Sequence, residues 1–125
     1  TFGCNTCWPP DANDAWVAAK LLRLKFELAD ESHFMVKLRS CPNCQQHFLS
    51  AFAEVIDWAD SEDPQFCCVL PITSVESKKL MEAGSNLVPQ LYCLAPDRRS
   101  LCHDFPKSGG PKNYWSSGVM IGPHD

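Results

Sequence analysis

The sequence predicts an α+β fold: a small antiparallel sheet with one or two helices. Three observations predict it. Short apolar runs of strand length, such as 34–39 and 66–70, recur between breaks rich in Asp, Ser and Pro. Thr73-Ser74-Val75-Glu76 is a helix-start signature, with an N-cap hydroxyl and a Glu three residues on. Two Cys-x-x-Cys turns, Cys4-Asn5-Thr6-Cys7 and Cys41-Pro42-Asn43-Cys44, bend the chain sharply beside the first of these runs.

Taken in order, the elements follow from local chemistry. Trp8-Pro9-Pro10 cannot enter a helix, so the chain turns after the first Cys pair. Asp11-Ala12-Asn13-Asp14 offers capping residues, and apolar side chains at Trp16, Ala19, Leu22 and Phe26 predict an amphipathic helix over 16–28. Leu24-Lys25-Phe26-Glu27-Leu28 also alternates, so a strand can begin there instead. Asp30-Glu31-Ser32 breaks the pattern, and 34–39 reads as a strand running into Cys41. Residues 48–58 read as the returning strand, with a helix over 50–59 as the alternative. The acidic stretch 57–65 reads as a solvated loop; its spacing does not match a calcium loop and lacks the glycine of the sharp turn. Residues 66–70 form a short strand ended by Pro71. The helix opened by Thr73 carries Val75, Leu80 and Met81 and stops at Gly84.

Downstream, 91–94 and 101–105 flank Ala95-Pro96-Asp97-Arg98-Arg99-Ser100 and predict a hairpin, which would set Cys93 opposite Cys102. Those two thiols are read as reduced core residues, with a disulfide, or a second metal site with His103 and Cys67 or Cys68, as alternatives. Asn113-Tyr114-Trp115 and Val119-Met120-Ile121 add a last strand or two, and residues 122–125 fray.

The chain has 125 residues, enough for one domain, so 1–125 is expected to be a single unit. An apolar fraction of 45% and a charged fraction of 21% are ordinary for a globular protein. A net charge of −4 argues against a general nucleic-acid or anionic-membrane binder, because neither would find a basic stripe. No apolar run approaches the roughly 18 residues that cross a bilayer. Thr1-Phe2-Gly3-Cys4 shows no charged or apolar leader region, so a signal peptide is not expected, and a cytoplasmic location is.

Eight cysteines suit either four disulfides in a secreted chain or a metal site in a reducing compartment. Their pairing favours the metal. Each Cys-x-x-Cys turn presents two thiolates to one ion, and Cys4, Cys7, Cys41 and Cys44 together complete a closed four-coordinate zinc site of the structural kind. The spacer between the pairs exceeds the roughly 15–20 residues of the common pattern, which an inserted helix explains. Cys41-Pro42-Asn43-Cys44-Gln45-Gln46-His47-Phe48, with Cys4-Asn5-Thr6-Cys7-Trp8, resembles the two knuckles of a zinc ribbon over residues 2–58. That resemblance implies a zinc-ribbon-like hairpin whose knuckle amides point at the thiolates. It is specific for one structural zinc and for no particular function. Separately, the strands and helix read from 59–125 are expected to extend the sheet.

The function expected is therefore that of a zinc-binding protein-interaction or adaptor module with a protein partner. The alternative is a thiol-redox or metal-responsive protein using the same Cys pairs. Four thiolates leave no open position for a catalytic water, and His33, His47, His103 and His124 match no catalytic signature, so no catalytic residue is singled out. An enzyme would place its site near Asp57, Asp60 and Asp63. His47 reads as a solvent-facing strand residue rather than a ligand. Among the tryptophans, Trp115 is the one expected to be exposed to a partner.

Overall fold

The computed structural model describes residues 2–54, 65–105 and 110–120. Six strands form one antiparallel sheet in chain order: β1 Arg23–Glu31, β2 Phe34–Ser40, β3 His47–Glu54, β4 Gln65–Ile72, β5 Arg99–Phe105 and β6 Lys112–Ser117. Three helices accompany it: α1 Ala12–Ala19, α2 Ser74–Met81 and α3 Leu87–Cys93, the last two joined by a tight turn at Gly84–Asn86. The fold class is α+β, with one helix more than the sequence suggested.

The first helix is shorter and earlier than expected. Asp11 caps it, its carboxylate accepting from the Asp14 N–H at 3.0 Å, and it ends at Ala19. The alternating residues after Leu22 pair as β1 along β2 instead, from Arg23 opposite Ser40 to Glu31 opposite Phe34. Local helical periodicity loses there to a ladder of backbone hydrogen bonds. The strand at 34–39 is found as β2. The returning strand is found as β3 as far as Glu54; residues 55–64, which include the acidic stretch, lie outside the described residues, as do 121–125.

Pro71 does not end β4. Pairing between β4 and β5 stops at Val69 opposite Leu101, so Pro71 lies beyond that ladder, where a missing N–H is tolerated. The capping box is present: Thr73 Oγ1 accepts from Glu76 N at 3.1 Å, and Glu76 Oε1 accepts from Thr73 N at 2.8 Å. Gly84 follows α2 at φ +56°, a left-handed conformation that suits glycine.

The expected 91–105 hairpin is overturned. Residues 87–93 are helical, because Leu87 and Leu91, four apart, both seal the core while Pro89 sits in the first turn, where no N–H is needed. Cys93 is consequently exposed on α3, and Cys102 lies opposite Cys68 of β4 instead. The expected strand at 119–121 is also absent over the described residues Val119 and Met120.

The sheet is packed on both faces. One face carries Val36, Leu38, Leu49, Ala51, Leu70 and Ile72 against Leu80 of α2 and Leu87 and Leu91 of α3. Burying each of the Val, Leu and Ile side chains contributes about 1.5–3 kcal/mol. The other face carries Phe48, Val69 and Leu101 against Ala15 and Ala19 of α1, with Cys7 and Cys41 at its end.

Candidate metal centre

The two Cys-x-x-Cys turns meet at one end of the sheet by different routes. The second is the connection between β2 and β3. Ser40 and His47 pair, Gln45 N donates to Cys41 O at 2.9 Å, and Cys41 N donates to Gln46 O at 3.0 Å, which closes the turn. Gln45 at φ 67° lets the chain reverse within it. The first turn belongs to no strand. Trp8 N donates back to Cys4 O at 2.8 Å, and the chain passes directly into α1.

Gln46 ties the two turns together. Its Oε1 accepts from Gly3 N at 3.0 Å, and its Nε2 donates to Ile72 O at 2.8 Å, linking the first turn to β4. Gly3 is required where it sits: at φ +70°, a Cβ would lie 2.7 Å from Trp8 Cβ and 3.0 Å from Cys7 Sγ. Trp8 then packs on Phe48, with ring centroids 5.5 Å apart, and edge-on to Trp115 at 5.0 Å. Trp115 is thus half-buried rather than exposed to a partner. Its Nε1 donates to Pro10 O at 3.0 Å, and the Arg99 guanidinium lies 4.1 Å from its ring centroid.

All four expected sulfurs converge. Cys4 Sγ lies 3.7 Å from Cys7 Sγ and 3.9 Å from Cys41 Sγ, and Cys7 Sγ lies 3.8 Å from Cys44 Sγ. Every pair in the set is within 4.8 Å. An ion held tetrahedrally by sulfurs at about 2.3 Å keeps its ligands about 3.8 Å apart. The spacing therefore fits a single ion, and these four cysteines could hold one.

Backbone N–H groups face the sulfurs. Asn43 N donates to Cys41 Sγ and Cys4 N to Cys7 Sγ, each at 3.3 Å. The N–H groups of Cys7 and Thr6 at the Cys4 sulfur hold its thiol down to about 6. Burial pushes the Cys7 and Cys44 thiols up. The Cys4 sulfur is thus favoured as a thiolate, while burial opposes ionisation of Cys7 and Cys44, which a cation between the sulfurs would offset. His47 opens β3, half-buried, and is not part of the cluster.

The second metal site considered from the sequence does not assemble as drawn. Cys102 faces Cys68 and Met120, its Sγ 3.9 Å from Met120 Sδ, while His103 lies on the opposite sheet face stacked on Trp16 at 4.0 Å. Comparison with family models, with curated proteins and with solved structures finds no match to this chain. No helix among the described residues is long and apolar enough to cross a membrane.

The residues missed from the sequence are Gly3, Gln46 and Arg98. Arg98 grips Glu76 through Nη1 at 2.7 Å and Nη2 at 3.2 Å, donates to Pro71 O at 3.0 Å and covers the Phe2 ring at 4.4 Å. Each acts across a long stretch of chain, so no local motif announces it.

Proposed function

We propose that the chain binds one zinc ion through Cys4, Cys7, Cys41 and Cys44, and that this ion is structural. The observation that carries the reading is the sulfur spacing of 3.7–3.9 Å between neighbours. It matches a mononuclear tetrahedral site, and all-sulfur tetrahedral sites suit zinc or iron. Four protein ligands leave no position for water or substrate, so the ion holds structure rather than reacting. Its place supports that role: Cys7 and Cys41 are part of the apolar cluster that seats α1 on the sheet. The paired-knuckle arrangement is what a zinc-ribbon-like module uses, and a reducing, cytoplasmic compartment would keep the thiols available.

On this reading the protein is an interaction or adaptor module whose docking surface lies beside the second knuckle. Leu21 is 74% exposed there, and with Ala18, Pro42 and Asn43 it lines a small apolar cleft of about 210 Å³ against Cys7 and Cys41. Cobalt substitution tests the site. A single cobalt(II) per chain with the visible bands of tetrahedral thiolate coordination, displaced stoichiometrically by zinc, is the expected result. An octahedral cobalt spectrum, or no uptake by reduced protein, contradicts it.

A further inference from the structure

The described residues do not fully cover the knuckle-side face of the sheet. Six strands spaced about 4.8 Å apart span roughly 24 Å, whereas one helix is about 10 Å across. Helix α1 lies toward β5 and β6. It leaves a cavity of about 340 Å³ over β2, β3 and β4, walled by Trp16, Ala19 and Leu22. This size falls at the lower end of small-molecule sites, about 300–1,000 Å³.

The lining has two parts. Met35, Phe52 and Val69 supply an apolar floor, with Phe52 directly opposite both Met35 and Cys67. Lys20, Lys37 and Arg39 supply the charge, and among the described residues no carboxylate lines the cavity. Lys37 and Arg39 are two residues apart on β2 and so share a face. Among the described residues none of the three cations forms an ion pair, although Glu27 stands opposite Lys37 in the β1–β2 register. Three cations around one apolar hollow run against the chain's net charge of −4. A merely solvated sheet face would not set buried Val69 and half-buried Phe52 and Met35 between them.

We infer that this cavity binds a small amphiphilic anion: a single carboxylate or phosphate head held by Lys37, Arg39 and Lys20, with an apolar body over Phe52, Met35 and Val69. The site is separate from the four cysteines and does not depend on the identity of their ion.

Titration calorimetry of the metal-loaded 125-residue chain with decanoate below its micellar concentration tests this. One saturable site per chain is expected. Decanol, which lacks the charge, and inorganic phosphate, which lacks the apolar body, should each bind at least fivefold more weakly. Lys37→Gln and Arg39→Gln should each weaken decanoate binding about fivefold, the scale of a solvent-edged ion pair, with metal content and thermal midpoint unchanged. Ser50→Trp, which fills the cavity floor without altering charge, should abolish binding. Absence of a saturable decanoate site overturns the inference, as does equal binding of decanol or phosphate, or indifference to both charge substitutions. Sedimentation of the chain with phosphatidylglycerol vesicles, reversed by decanoate, would put the anion in a lipid surface and overturn the assignment to a free small molecule.

Discussion

The two faces of the sheet are closed in opposite ways. On one, α2 and α3 press Leu80, Leu87 and Leu91 onto Leu49, Leu70 and Ile72, and the start of α2 is fixed by its own capping box and by Arg98. Among the described residues, that face is closed by apolar side chains. On the other, an eight-residue helix supplies only Ala15 and Ala19 as buried contacts, and is fastened to the sheet through Cys7, Cys41, Trp8 and Trp115. Helices α2 and α3 are no longer than α1, at eight and seven residues, so the difference lies in what each helix buries rather than in its length. The comparison teaches where the proposed metal would matter most: at the face whose helix buries only small side chains.

The largest effect that would break this comparison comes from the ligands. Structural zinc contributes about 10–16 kcal/mol in small peptides, against a total stability of about 5–15 kcal/mol for a typical domain. Cys41→Ser, at a fully buried ligand, should release the ion and unfold at least the knuckle face. Hydrogen exchange would show α1 losing protection first. Equal protection of α1 in the variant and the parent would remove the asymmetry between the faces.

Leu91→Ala should act on the other face alone. A fully buried leucine truncated there costs about 2–5 kcal/mol. Denaturant unfolding should show that loss while metal stoichiometry stays intact. A smaller effect is expected from Thr73→Ala, about 1 kcal/mol from the lost cap, read from the same unfolding curves.

The smallest effect is a pH dependence. Burial alone would raise the Glu76 carboxyl, but its contacts with Arg98 and the Thr73 N–H outweigh this and hold it below the usual range. Its contribution is therefore fully present above the unfolded carboxyl value of about 4.3. It is lost as pH falls through the lower folded value. The pair is partly solvated, so less than about 1 kcal/mol is involved. Acid also protonates the thiols and releases metal, so the test is the difference between the parent and Glu76→Gln across pH 3–6. Parallel curves for the two would dismiss the pair.

What the sequence made legible was local. The four cysteines stand out because each pair's spacing alone places two sulfurs in one turn, and the capping box because its partners are three residues apart. Strands over 34–39 and 66–70 were legible from their local apolar runs, although β4 runs on through Pro71 to Ile72. The errors came where an apolar run was too short for its period to decide. Residues 91–94 look like a strand until Leu87 and Leu91 are seen to fill the core as helix neighbours. Residues 20–28 look helical until β2 offers them a ladder. The braces of the site, Gln46 reaching Gly3 and Arg98 reaching Glu76, join residues 43 and 22 positions apart, and no pattern in one sequence records such pairs.

The most direct test of the central claim is elemental analysis of the chain purified without added metal, combined with thiol counting in denaturant before and after chelation. The account predicts one zinc per chain and four thiols that react only once the ion is removed. Metal-free protein in which Cys4, Cys7, Cys41 and Cys44 are already oxidised to disulfides would contradict it.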